Sequence, residues 1–158
     1  MTAQKKYASG MPSNLSLYDR DFHAWANEQA ALLRAGRLAD ADIPNIAGEI
    51  ESMGRGEKRE LISRLTVLLV HVLKWKFQEQ FRSAGWQRTI RVQRRQVMKN
   101  LDGNPSLKPQ LPDCVSDAYQ SAVYEAQQQT GLADGHFPEQ NPWTAEQFFQ
   151  DGWLPEQR

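Results

Sequence analysis

The 158-residue chain contains a single cysteine, Cys114, which alone can form neither an internal disulfide nor a cysteine-based zinc site. A secreted disulfide scaffold and a zinc ribbon are thereby excluded, and a reducing cytoplasm is the expected setting. Net charge is also missing. Nineteen basic residues balance nineteen acidic ones, so no whole-molecule field draws nucleic acid or anionic lipid. Long hydrophobic runs are absent too: the most apolar stretch, residues 65–73, is interrupted by His71 and flanked by Arg64 and Lys74, far short of the roughly 18 residues that span a bilayer. No membrane association is expected. The first residues carry Lys5 and Lys6 with no apolar segment behind them, so 1–16 reads as a flexible tail rather than a signal peptide.

Residues that favour sheets are scarce. Ile, Val and Thr total 17, against 47 for Ala, Leu and Gln together, a bias toward helix. A first helix is expected from Asp19, with Phe22, Trp25, Ala26, Gln29, Leu32 and Leu33 at three-and-four spacing, ending at Gly36. A second is announced by Asp42 and Pro44, shows Ile43, Ile46, Ala47, Ile50 and Met53 on one face, and is expected to stop or kink at Gly54-Arg55-Gly56. The third, 57–81, is the longest. Its apolar positions Leu61, Ile62, Leu65, Leu68, Leu69, Val72, Leu73, Trp75 and Phe77 spread over about half the helix circumference, which makes it central, with Glu60, Arg64, His71, Lys74 and Gln78 as its polar stripe. A fourth helix, 86–101, follows a Ser83-Ala84-Gly85 turn, and a fifth, capped by Asp113, runs to Gly131. In the proline-marked tail, Thr144 and Gln147 form a plausible capping box that presents Phe148 and Phe149. With Phe137, Trp143 and Trp153 these are too many aromatics to leave in water. The expectation is all-α: one bundle of about five main helices over 17–155, a long central helix and an ordered, aromatic-rich C-terminal segment.

Charge is balanced overall but unevenly placed. Residues 1–73 sum to zero, 74–100 to +7 and 101–158 to −7. On the fourth helix Arg88, Arg91, Arg95 and Lys99 fall within an arc of about 80°. Two outcomes compete. Either the acidic C-terminal third covers this basic face, or the face stays exposed and binds a partner.

Residues able to do chemistry are few. Glu49, Glu51 and His71 are of types that serve as metal ligands or as acid and base, but Glu49 and Glu51 point about 200° apart on a helix and cannot form one paired site. The ordinary alternative is pairing of Glu51 with Arg55 and of Glu60 with Arg64, with His71 bonded to a neighbour. Asp19 and His23 lie one turn apart without an HExxH motif, and no phosphate loop, dinucleotide fingerprint or nucleophile elbow occurs. Cys114 reads as a small buried hydrophobe. No metal and no cofactor are expected.

The order Tyr18-Asp19-Arg20-Asp21-Phe22-His23-Ala24-Trp25, then Gln29-Ala30-Ala31-Leu32-Leu33-Arg34-Ala35-Gly36, then Glu49-Ile50-Glu51-Ser52-Met53-Gly54-Arg55 resembles the bacterial family catalogued as domain of unknown function twenty-nine. The likeness continues through Arg64, His71, Lys74, Trp75, Arg82-Ser83, Trp86, Gln93-Arg94, Tyr119, Thr130-Gly131-Leu132 and Phe137-Pro138-Glu139. It implies a small all-helical protein, chiefly of cyanobacteria and proteobacteria, and no activity. Gly48 stands where that family often has an acidic residue and Asn141 where it often has cysteine, which removes one ligand each from any metal or redox site those positions would build.

The sequence thus suggests a non-enzymatic helical interaction or regulatory module, meeting a protein partner or a second copy through Arg88, Arg91, Arg95 and Lys99. The alternatives are a metal-dependent nucleic-acid-processing hydrolase using Glu49 or Glu51 with His71, and a nucleic-acid-binding module using helix 86–101.

Overall fold

A computed structural model describes residues 16–156; the greater part of the flexible tail expected at 1–16 lies outside the described residues. All regular structure among them is helical. The elements are α1 (Leu17–Arg20), α2 (Phe22–Arg34), α3 (Ile43–Phe77), α4 (Ala84–Gly103), α5 (Leu111–Thr130) and α6 (Ala145–Phe149), with short 3-10 segments at Leu38–Asp40, Glu79–Phe81 and Pro105–Gln110. No helix among the described residues is long and apolar enough to cross a membrane. The chain divides into two compact units, Met1–Met53 and Gly54–Arg158.

The largest departure from the sequence reading is the length of α3. The second and third expected helices are assigned as one 35-residue helix, and Gly54-Arg55-Gly56 does not end it. A glycine inside a helix costs about 1 kcal/mol relative to alanine, a penalty that the surrounding turns outweigh. At the other end α3 closes at Phe77 rather than at 81, and a 3-10 turn carries the chain onward.

In the N-terminal unit, α2 is capped by Asp21, whose side chain accepts from the Ala24 amide, two residues later than the sequence suggested; Asp19 instead lies in the separate single turn α1. Gly36 ends the segment at φ 69°. Tyr18, Phe22 and Trp25 form a ring cluster, and Trp25 and Gln29 are buried. Both reach the start of α3: Trp25 Nε1 donates to Asp42 at 3.0 Å, and Gln29 Oε1 accepts from the Asp42 amide at 2.7 Å. Asp42 in turn accepts from Asn45 Nδ2 at 2.8 Å; the Asn45 bond, supported by Trp25, holds its carboxyl below the usual value. The apolar face expected on this stretch is largely in water, with Ile50 63% and Met53 72% exposed. Periodicity placed these residues on one side; among the described residues both are exposed.

The C-terminal unit has the larger core. Leu61, Leu65, Leu68, Leu69, Val70, Val72 and Leu73 of α3 are all at most 1% exposed, which gives this stretch the central place that its wide apolar arc requires. Packed with them are Ile90, Val97 and Leu101 of α4, and Cys114, Ala118, Tyr119, Ala122 and Ala126 of α5. The small residues Cys114, Ala118, Ala122 and Ala126 of α5 are fully buried, and burial pushes the Cys114 thiol up. α4 is capped by the Ser83 side chain. α5 begins at Leu111, with Asp113 in its first turn rather than at its cap, and ends at Gly131 in the left-handed region. The capping box at Thr144 and Gln147 is formed, and its helix delivers Phe148 to the core.

Candidate functional site on helix α4

The periodicity of α4 sorts its residues into two faces. Ile90, Arg94, Val97 and Leu101 are the buried positions of this helix. On another side Arg88, Arg91, Arg95 and Lys99 are all exposed, and among the described residues none of the four has an ion pair or hydrogen bond. Among the described residues the acidic third thus leaves these four side chains exposed.

The acidic C-terminal segment is nonetheless attached to α4, through an arginine that the sequence reading did not single out. Arg94 is 4% exposed. Its Nε donates to the Phe148 carbonyl at 2.7 Å and its Nη2 to the Trp153 carbonyl at 2.6 Å. A buried guanidinium is tolerated only when its donors are satisfied. Two backbone oxygens from one short segment do this and fix that segment against the helix. Burial lowers the Arg94 pKa, and the nearby Asp151 carboxylate opposes that shift. A clue was available: Arg94 lies four residues after Ile90 and three before Val97, on the core register, where a charged residue requires a buried partner.

Two grooves flank this anchor. One, of about 300 Å³, is lined by Gln87, Ile90, Arg91, Arg94 and Arg95 of α4 and by residues 151–154. The other, of about 460 Å³, adds Met98, Lys99, Asp102 and Phe149 to Arg94, Arg95 and Asp151.

The remaining sequence candidates sit elsewhere. Glu49 accepts a hydrogen bond from the Tyr18 hydroxyl at 2.5 Å, a bond that raises the tyrosine pKa. Glu51 is exposed on α3 and engaged in an interaction of its own. His71 follows both by about six turns of the same helix. Its Nδ1 bonds the Val67 carbonyl one turn back at 2.8 Å, and burial, more than the neighbouring Lys74, lowers its pKa. Lys74 itself donates to Gln129 and lies 4.6 Å from the centroid of the Trp86 ring. Asp19 pairs with Ser16, and His23 lies beside Asn27. Asn141 Oδ1 accepts from the Trp143 amide at 3.1 Å. Among the described residues, no group of three or more His, Cys, Asp or Glu could hold a metal ion.

A family model described as domain of unknown function DUF29 matches residues 17–154. No curated protein and no solved structure matches the chain.

Proposed function

The chain belongs to the DUF29 family, whose description carries no activity, and we propose that it works as a non-enzymatic helical interaction module that presents the basic face of α4 to an acidic protein surface. The observation that carries this reading is the exposure of Arg88, Arg91, Arg95 and Lys99 on one arc, unpaired among the described residues. Such a patch steers association and fixes register more than it adds affinity. Met98 lies 40% exposed among these cations, supplying apolar area within a charged rim, as at protein interfaces.

Two carboxylates favour a protein over a nucleic acid. Asp102 and Asp151 line the same groove as Arg95 and Lys99. They oppose a continuous row of phosphates but suit a partner that brings a few discrete acidic side chains with donors between them. The hydrolase alternative receives no comparable support.

The test is fluorescence anisotropy of a labelled Glu-rich helical peptide, and of a single-stranded oligonucleotide of equal charge, titrated with the full chain. The peptide should bind more tightly, and replacing Arg88, Arg91, Arg95 and Lys99 together by Gln should weaken it by about tenfold or more, in line with the loss of several charge-assisted contacts. Equal binding by the quadruple variant, or tighter binding of the oligonucleotide, would refute the proposal.

A further inference from the structure

We infer that the smaller groove, between α4 and residues 151–154, is a binding site for a small organic oxyanion, a phosphate or carboxylate carried on an apolar or aromatic body. This goes beyond the partner surface: it shares Arg91 and Arg95 with that surface but requires no protein.

The groove has a charged wall and an apolar one. Arg91 and Arg95 lie one helical turn apart on the same side of α4, with Arg94 on the adjoining buried side and Gln87 one turn earlier. Arg94 is held in place by its bonds to the Phe148 and Trp153 carbonyls; a guanidinium fixed in advance loses little freedom when it meets an anion. Its Nη1 has no hydrogen-bond partner among the described residues, so a donor on a fixed group remains available. Planar guanidinium forks match the geometry of carboxylate and phosphate oxygens. Three such groups stand against one carboxylate, Asp151, a balance that suits a singly or doubly charged head.

The rest of the wall is Ile90, Trp153 and Leu154. Ile90 is buried, and Trp153 is braced edge-on by Trp143 at a centroid distance of 6.1 Å. A lone inorganic ion would leave the partly exposed Trp153 and Leu154 uncovered. A volume of about 300 Å³ falls at the lower end of the range for small-molecule sites, enough for a charged head and a ring-sized body.

The experiment is a nuclear magnetic resonance titration of the full chain with phenyl phosphate, benzoate and the neutral control benzyl alcohol, following the Arg94 Nε–H and Trp153 indole signals. At least one oxyanion should give saturable shifts at both groups by about 10 mM, the concentration range that detects millimolar affinity; whichever head binds more tightly distinguishes phosphate from carboxylate. In the Arg91→Gln/Arg95→Gln double variant, whose substitutions are on the exposed face, binding should weaken by about tenfold or more with an unchanged circular dichroism spectrum. Absence of saturable shifts with both oxyanions, equal binding of benzyl alcohol, or unaltered affinity in the folded double variant would each overturn the inference.

Discussion

Arg94 Nε and the Phe148 carbonyl oxygen, 54 residues apart in sequence, are 2.7 Å apart in the fold, and the bond joins the core of α4 to the end of the chain. Phe148 itself is fully buried. The same arginine holds the Trp153 carbonyl, so one side chain organises both the tail and the grooves beside it. Replacing it by methionine keeps much of the volume but strands two carbonyls. Arg94→Met should cost about 2–4 kcal/mol, the range expected for charge-assisted bonds lost from a buried site. Urea unfolding followed by tryptophan fluorescence reads this out, and an unchanged midpoint would mean that the tail is held by its aromatics alone.

Glycines in this chain should respond to substitution with opposite signs. At Gly54 and Gly56, within α3, a Cβ would meet nothing within 4 Å. Alanine there removes only backbone freedom from the unfolded chain, so each change should stabilise by about 0.5–1 kcal/mol. Gly131 caps α5 at φ 69°, where a side chain is strained, and Gly131→Ala should destabilise by about 1 kcal/mol. Thermal melts of the three variants suffice as the check.

His71 makes stability depend on pH in a definite direction. Its pKa lies below the usual 6.5 because burial disfavours the charged ring, so the unfolded chain takes up the proton first. Its contribution is therefore fully present above about pH 7 and declines as pH falls through 6.5 toward the lowered folded value. His71→Gln should flatten that part of the stability profile. Denaturation midpoints at several pH values between neutrality and the carboxylate range would show whether it does.

Tyr119 acts at the alkaline end. Burial pushes its phenol up to about 12, and its hydroxyl donates to the Pro138 carbonyl at 2.7 Å. The folded state resists ionisation, so stability should fall as pH rises from 10 toward 12. Ultraviolet titration should show this phenol ionising late, together with unfolding, and Tyr119→Phe should remove the late phase.

Much of the architecture was legible in the amino-acid order because it depends on local periodicity. The half-circumference of apolar residues in 57–81 marked a central helix, Gly36 and Gly131 marked ends, and Thr144 with Gln147 marked a capped turn. Elsewhere local signals misled. Gly54-Arg55-Gly56 looked like a break, yet the cost of two glycines is small beside the cooperative gain of a helix already nucleated on both sides. Ile50 and Met53 were expected on one face and yet lie in water, because a stripe shows which residues share a side and not whether anything packs on it.

The candidate site divides in the same way. That Arg88, Arg91, Arg95 and Lys99 share a side of α4 follows from 3.6 residues per turn, and the sequence alone was enough to place them. Which cation of this helix is buried was not legible there: in three dimensions Arg94 claims two backbone carbonyls of the tail, while its four neighbours are exposed. Helical phase is a property of neighbouring residues, whereas the choice of which cation is desolvated depends on where a segment more than fifty positions away comes to rest, and that is fixed by the packing of Phe148 in the core.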